Sequence, residues 1–217
     1  ELRSAWTTLE ARCIEWVGLL LPSLDLDNDR ERIPRAVSDS TSLRDASDRL
    51  GTNPPPHSPS EVEWKAIQDI GQRCLDIANS LNSSEEAIRT IASEYLPSLS
   101  KLVGPLGAAK LCVLAGGRER LARMPSGSIQ VLGAHAAMAA HRRGAPPPKH
   151  GSVIFSMPQV SKSPRWVRGK IARFLAGKAS IASRLDHFDG DPWTESEIAE
   201  IHRLSEGIKQ KLSLIHI

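Results

Sequence analysis

The side chains able to do chemistry in this sequence are mainly cations, and most of them lie in one window. The chain of 217 residues has 28 Lys and Arg against 25 Asp and Glu, a formal net charge of +3. Residues 101–188 contain 15 of these cations and 2 of the acids, whereas residues 1–100 contain 10 and 17. Because cations that contact phosphates release condensed counterions, this window predicts a polyanion-binding surface. Docking of the same surface onto an acidic protein is the alternative.

Six of the cations follow Ser163-Pro164, a pair typical of a helix start. We expect them to face solvent on one amphipathic helix and to contact a nucleic-acid backbone: Arg165, Arg168, Lys170, Arg173, Lys178 and Arg184. We expect the larger apolar residues of this segment to lie in the core rather than at the contact: Trp166, Ile171, Phe174 and Ile181.

Three further residues of the window carry groups that can recognise a nucleic acid. Gln130 begins an Ala-rich helix predicted over residues 128–140. Its amide can hydrogen-bond a base edge or a phosphate, or serve as a local cap. Lys149 and His150 lie in a Pro-rich loop, where the imidazole of His150 can stack on a base.

Catalytic and metal-binding groups do not cluster. The seven histidines are scattered, and Cys13, Cys74 and Cys112 have no zinc-ligand spacing, which favours buried thiols in a reducing compartment. Asp25-x-Asp27-x-Asp29 lacks the glycine and the glutamate of a calcium loop. We therefore predict no catalytic residue, no metal and no cofactor.

The elements that must position these residues are predicted to be helices alone. Aromatic residues make up 4% of the chain, and few residues are β-branched, so the composition favours an all-α fold. No apolar run approaches 18 residues and no secretory leader is evident, so neither a membrane partner nor secretion is expected.

Two heptad stripes predict an antiparallel coiled-coil domain over residues 1–98. The first helix stops near Pro22, and the second starts at a capping box of Ser58 and Glu61 and runs toward Pro97. The predicted seam contains Leu9, Trp16, Leu20, Ile67, Ile70, Ile77, Ile88 and Ile91. A Ser/Pro-rich connector with one short helix over residues 43–50 joins the helices at 22–58. Because the second helix is the longer, part of its seam is left for another chain or domain, and a homodimer through the coiled coil is one such assembly.

Residues 99–217 are predicted to form a second helical domain. It comprises a small-residue apolar segment at 99–114, the Ala-rich helix, a short extended run at 153–155, the basic helix and a last helix over 195–212.

Three colinear blocks of this domain resemble the Nop domain of the box C/D small ribonucleoprotein scaffold, especially its archaeal form. The first runs from Leu114-Ala115-Gly116-Gly117 to Ala134 and contains P-S-G-S-I-Q-V-L-G-A, against the family's P-A-S-T-I-Q-I-L-G-A. The second, P-K-H-G-S-V-I-F at 148–155, matches P-K-Y-G-L-I-F. The third, at 168–186, matches K-G-K-I-A-R-x-L-A-x-K-x-S-I-A-x-R-I-D.

This resemblance implies a coiled-coil domain that dimerises and a Nop domain that binds a kink-turn RNA already held by a small kink-turn-binding protein. It implies a scaffold for guide-directed 2′-O-methylation with fibrillarin as the methyltransferase. The fibrillarin-docking domain is missing from this chain, so fibrillarin is an expected partner only where the full gene encodes that domain. The location implied is the cytoplasm of an archaeon or the nucleus of a eukaryote.

The sequence departs from the family at two places. His135-Ala136 follow Gly133 and Ala134 where the family has Glu-Lys, so these three residues, Gly133, Ala134 and His135, mark an altered partner-protein interface. His150 replaces a tyrosine. Three alternatives remain: a spliceosomal Nop-domain protein that binds a kink turn in small nuclear RNA, a protein-interaction adaptor with a basic docking face and no RNA role, and a helical DNA-binding module.

Overall fold

The computed structural model describes residues 1–213. Within these residues the regular secondary structure is α-helical. The helices are α1 (Leu2–Leu20), α2 (Ile33–Ser38), α3 (Leu43–Leu50), α4 (Glu61–Tyr95), α5 (Pro97–Val103), α6 (Pro105–Ala115), α7 (Arg118–Arg123), α8 (Ser126–Val131), α9 (His135–Arg142), α10 (Ser152–Ser156), α11 (Pro158–Ser161), α12 (Arg165–His187) and α13 (Glu195–Ser213). The all-α prediction is confirmed.

The chain divides into two compact units, one over residues 1–85 and one from residue 86 onward. We call them the first and the second unit. Helix α4 contributes residues to both. The predicted division into domains at residue 98 stays a prediction.

In the first unit, α1 and α4 pack in antiparallel order. Near the start of α1, Arg3 forms an ion pair with Glu85, and in its middle Cys13 is buried in one core cluster with Cys74. Near its end, Leu20 lines a groove together with Ile67. The residue numbers of these partners rise on one helix as they fall on the other, as in an antiparallel helix pair.

The predicted seam residues are not all in the core of this pair. Ile67 is buried, Leu9, Leu20, Ile70 and Ile77 are half-buried, and Trp16, Ile88 and Ile91 are exposed. On α1 the inward positions are taken by Cys13, Ile14 and Val17, and Leu21, the residue that ends the helix, is also buried. The buried stripe therefore lies about one residue further round the helix than the heptad pattern indicated, which turns the large indole of Trp16 outward.

The segment read as a connector is in part structural core. Ile33 and Val37 of α2 and Leu43 and Leu50 of α3 are buried with α1 and α4. Gly71 of α4 permits this approach, because a Cβ there would lie 2.6 Å from Val37 Cγ2. Helix α3 has the predicted bounds, but α2 was not foreseen. The capping box of α4 is formed by Ser60 and Glu63 rather than by Ser58 and Glu61.

The second unit is built around α12, which packs against α5, α7, α8 and α13. Ile171 and Leu175 of α12 are fully buried, together with apolar residues of five surrounding helices. Those residues are Leu99, Leu111, Leu121, Ile129 and Ile154. The last helix was predicted at nearly its observed bounds.

Two local predictions for the second unit are wrong. The helix expected over 128–140 is interrupted between α8 and α9, because Gly133 adopts a left-handed φ of +85° that ends one helix and redirects the chain. Residues 153–155, expected to be extended, belong to the short helix α10, which is held against the core by the buried side chains of Val153 and Ile154.

Within residues 1–213, no individual helix combines the length and the apolar character needed to cross a membrane. Helices α5 and α6 satisfy the length and apolar criteria only when they are counted as one segment, and the angle between them is 114°.

Candidate nucleic-acid interface

The exposed side of α12 carries most of the predicted contact residues. Positions three or four apart lie on one side of a helix, and one such series remains at the surface for the whole length of α12. We call it the α12 stripe: Trp166, Lys170, Arg173, Gly177, Ile181, Arg184 and, as the residue that ends the helix, Phe188. Arg165 is also exposed, at the helix start. No ion pair among the described residues involves any of the six predicted cations of α12.

The carboxylate of α12 does not weaken this positive surface. Asp186, the one acid in the helix, is buried, and its two oxygens accept the backbone N–H groups of Ser98 and Leu99 at 2.8 and 2.9 Å. These donors belong to the first turn of α5, which has no side-chain cap of its own. Asp186 therefore fixes α12 to α5 and leaves the exposed side of α12 without an acid.

The loop that holds Lys149 and His150 is fixed beside α12 by four contacts. Gln130 Nε2 donates to the Lys149 carbonyl at 2.6 Å, and the Gly151 N–H donates to the Gln130 carbonyl at 2.6 Å. Gly151 fits closely against Leu132, whose carbonyl oxygen would lie 2.0 Å from an added Cβ. On the other side, the Lys149 stem lies 3.7 Å from where a Cβ of Gly169 would be. The exposed Lys149 is thereby held over α12.

Gln130 accordingly has a different place from the one expected. The sequence suggested an amide at the surface or a local cap, but Gln130 is 91% buried and its side-chain N–H group serves the loop backbone. It is a positioning residue for Lys149 and His150.

His150 stacks on a ring of its own chain. Its imidazole lies parallel to the Phe155 ring at a centroid distance of 4.6 Å, and the Arg168 guanidinium lies 5.5 Å from the same Phe155 ring. Burial lowers the pKa of His150, and the positive charge of Arg168 lowers it further. The imidazole is therefore neutral at pH 7 and offers an aromatic face at the edge of the basic surface.

Two of the predicted cations also hold the backbone. Arg168 donates from Nε to the Ser163 carbonyl at 2.7 Å and from Nη2 to the Ser161 carbonyl at 2.9 Å, which closes the turn before α12. Arg184 donates from Nε to the Ala122 carbonyl at 3.2 Å, at the end of α7. The guanidinium of Arg168 is half-buried, whereas Arg184 stays exposed on the stripe.

Lys178 lies apart from the other cations. Its ammonium is 5.8 Å from the Phe174 ring, and it lines a groove with Trp193, Glu197 and Glu200 of the C-terminal segment. The structure thus places Lys149 against Gly169 and His150 near Arg168, on the helix that also carries Arg165, Lys170 and Arg173. Arg184 lies further along the exposed side of α12, and Lys178 is turned toward an acidic helix.

The predicted partner-protein residues lie at the start of α9. Gly133 and Ala134 are half-buried, and a Cβ at Gly133 would lie 2.7 Å from Ser152 Oγ, so Gly133 is needed for packing. His135 is exposed and begins α9, a helix without a buried residue.

Sequence reasoning missed the exposed apolar members of the α12 stripe. Trp166 and Ile181, expected in the core, are both 45% exposed, and Phe188 is 64% exposed. Ile171 is buried and Phe174 half-buried, as expected. The signal was present in the sequence, because 166, 181 and 188 fall in register with Lys170, Arg173 and Arg184.

The remaining reactive groups do not form a site. No group of three or more His, Cys, Asp and Glu side chains within residues 1–213 could hold a metal ion. Burial raises the pKa of Cys13 to about 12 and also raises the pKa of Cys74 and of Cys112. These thiols are protonated at pH 7 and are therefore weak nucleophiles.

Comparison with known proteins gives concordant matches. Residues 26–213 match the family model described as Nop, snoRNA binding domain, fibrillarin. An uncharacterised NOP5 family protein of Methanocaldococcus jannaschii is 44% identical over 229 residues, covering 97% of this chain and 55% of that protein. Nucleolar protein 56 of Mus musculus and of Homo sapiens is 33% identical over 156 residues, covering 71% of this chain and 26% and 25% of theirs.

A solved structure, titled as the crystal structure of a fibrillarin/Nop5p complex, is similar at 28% identity with a TM-score of 0.48, covering 96% of this chain and 71% of that one. The chain thus spans about half the length of the archaeal relative and about a quarter of nucleolar protein 56.

Proposed function

This chain belongs to the Nop family, and from that membership we propose that it is an RNA-binding scaffold of a box C/D-type ribonucleoprotein. Its second unit recognises a kink-turn RNA together with the small protein that holds it. The assembly supports guide-directed 2′-O-methylation, in which this chain positions RNA and does not catalyse.

The observation that carries the proposal is the fixed position of the 149–151 loop beside α12. Gln130 and Gly151 hold the loop through hydrogen bonds to its backbone, and the Lys149 stem lies against Gly169. Gly169 belongs to α12, the helix that also carries Arg165, Lys170 and Arg173. A rigid set of cations matches one arrangement of phosphates and not others. A kink turn brings phosphates close together, and a preformed cationic surface suits such a sharply folded backbone.

The small kink-turn-binding protein is assigned to the surface at His135. That residue starts α9, whose side chains are available because none of them is buried in the second unit. With histidine and alanine in place of the family's Glu-Lys pair, contacts here depend on shape more than on charge. We expect this to alter partner choice rather than to abolish binding.

A second copy of the chain is assigned to the open end of the α1–α4 pair. Trp16 and Leu19 of α1 and Val62 of α4 are exposed around an apolar groove of about 390 Å³. Fibrillarin joins the assembly where the full protein has the corresponding docking domain. The complex works in the cytoplasm of an archaeon or in the nucleus of a eukaryote.

A gel-shift titration tests the proposal. The full chain is titrated into a kink-turn RNA, once alone and once saturated with a kink-turn-binding protein. We expect tight binding only to the RNA–protein complex and weak, salt-sensitive binding to free RNA. Equal affinities in both titrations would contradict a composite surface. Binding to the protein alone, unaffected by RNA, would instead favour the adaptor role.

A further inference from the structure

The α12 stripe contains more apolar surface than contact with a phosphate backbone requires. Trp166, Ile181 and Phe188 are all exposed by 45% or more and alternate with Lys170, Arg173 and Arg184. Large apolar residues in regular series at a surface mark an interaction site. The alternation indicates a ligand in which apolar faces alternate with negative charges.

The positive charge of the stripe indicates that the ligand is negatively charged. The one acid of α12, Asp186, is buried and accepts two backbone N–H groups, so the exposed side of the helix is cationic and apolar only. A ligand that spans the stripe must therefore be anionic along its length.

The middle of the stripe permits close approach. Gly177 lies within α12, where glycine is unfavourable by about 1 kcal/mol relative to alanine, and a Cβ added there would meet no atom within 4 Å. No packing inside the second unit requires this glycine. An open position between Arg173 and Ile181 leaves room for a sugar–phosphate backbone close to the helix.

We propose that the α12 stripe binds an unpaired RNA strand that leaves the folded RNA. Bases stack on Trp166 and Phe188, Lys170, Arg173 and Arg184 contact the phosphates, and the backbone passes over Gly177. A duplex conceals the faces of its bases, whereas a single strand exposes them to aromatic side chains. At 1.5 Å per residue the stripe is about 33 Å long, enough for several nucleotides. This inference rests on the proposed function and deepens it.

The test compares one strand and one duplex on the same surface. The full chain is titrated with a fluorescein-labelled 12-nucleotide oligouridine and, separately, with a 12-base-pair RNA duplex at the same salt concentration. We expect Trp166→Ala and Phe188→Ala each to weaken binding of the single strand by about 10-fold and binding of the duplex by less than 2-fold. Trp166→Phe keeps a stacking face and should retain most of the affinity.

Trp6→Ala is the matched control, because Trp6 lies on α1 in the first unit and does not line the groove assigned to a second copy of the chain. It should leave both affinities unchanged. Circular dichroism and thermal melting of each variant establish that the fold is intact. Quenching of tryptophan fluorescence by the oligouridine should decrease in Trp166→Ala and persist in Trp6→Ala.

Equal losses for strand and duplex, or none for either, would overturn the stacking role. If Trp166→Ala and Phe188→Ala leave binding unchanged while Arg173→Glu weakens binding to the kink-turn complex, the inference fails and the proposed function stands. If Arg173→Glu has no effect on that complex, the proposed function fails. Displacement of the fluorescein-labelled strand by a glutamate-rich peptide as effectively as by unlabelled RNA would assign the stripe to an acidic protein and overturn the inference.

Discussion

The two units use their cations in opposite ways. Five of the eight ion pairs within the described residues lie in the first unit, where the arginines 3, 12, 30, 32 and 49 each face a carboxylate of the same unit. In the second unit, none of the six cations of α12 has such a partner among those pairs. The first unit thus pairs these five arginines with its own carboxylates, whereas the second unit leaves the six cations of α12 without a carboxylate partner among the residues that the structure describes.

The buried carboxylates show the same difference. In the first unit, Glu10 is buried and accepts two hydrogen bonds from Arg30, at 2.9 and 2.7 Å. In the second, Asp186 accepts backbone N–H groups instead. Because backbone N–H groups are the partners of Asp186, the second unit buries this acid without pairing it with a Lys or Arg side chain. The lesson is that a binding surface is created as much by where the acids are placed as by where the cations are.

The largest expected effect comes from removing the buried acid of the second unit. Asp186→Ala leaves the N–H groups of Ser98 and Leu99 buried without an acceptor, which should lower the free energy of unfolding by about 3 kcal/mol. Glu10→Ala should have a smaller effect, about 1 kcal/mol, because the partly exposed Arg30 can bind water instead. Urea denaturation measures both, with the exposed Asp191→Ala as control. Equal losses would remove the contrast between the units.

Charge reversal on the α12 stripe should affect binding more than stability. Arg173→Glu is expected to weaken binding to the kink-turn complex by at least about 10-fold, with unchanged helicity. Lys178→Glu should have less effect, because Lys178 lies beside Glu197 and Glu200. Arg73→Glu, an exposed arginine of the first unit, makes the same change in net charge. If it weakens binding as much, net charge rather than placement determines the affinity.

The loop contact of Gln130 can be compared with its counterpart in the first unit. Gln68 Nε2 donates to the Ser40 carbonyl at 2.6 Å, just as Gln130 Nε2 donates to that of Lys149. Replacement of either glutamine by alanine should lower the free energy of unfolding by about 1 kcal/mol. Gln130→Ala should also weaken RNA binding severalfold, whereas Gln68→Ala should leave it unchanged. Similar binding by the two variants would show that the loop needs no positioning.

Alanine at Gly177 should separate stability from binding. Gly177→Ala and Gly207→Ala both add a methyl group to a helix at a position with no neighbour within 4 Å. Each should raise the free energy of unfolding by about 0.5–1 kcal/mol. A lower affinity for single-stranded RNA is expected for Gly177→Ala alone. Improved or unchanged binding by that variant would remove the close-approach part of the inference.

The smallest effect concerns pH. The folded-state pKa of His150 lies below the unfolded value of about 6.5, first because of burial and then because of Arg168. As the pH falls below that value, the unfolded chain takes up the proton first, and the free energy of unfolding decreases. His150→Phe preserves the stack on Phe155 and should remove this part of the pH dependence. Replacing His57, which is exposed in the first unit, should not.

Several features of the fold could be predicted because they depend on local sequence. The periodicity of α1 and α4, the Ser163-Pro164 start of α12 and the Gly51 stop of α3 are local signals, and the helices lie where those signals place them. Helix α2 and the short α10 could not be found in this way. They are too short to be stable alone and form because the cores of their units cover Ile33, Val37, Val153 and Ile154.

The nine RNA-binding candidates stay a prediction, and local sequence was a better guide to their charge than to their surroundings. Seven of the nine are cations of the basic window. The contact that Gln130 makes, the position of Lys178 and the exposure of Trp166 could not be predicted, because each depends on which neighbour the fold supplies.

The sequence by itself determined the helical class, the basic window and the family, since composition, periodicity and motif spacing are properties of the chain alone. Tertiary structure alone decided which side of α12 is exposed, that Asp186 is buried against the first turn of α5, and that Lys149 lies against Gly169. The physical reason is that a side chain's exposure and partners depend on elements distant in sequence. Identical local patterns can therefore give a core contact in one place and a binding surface in another.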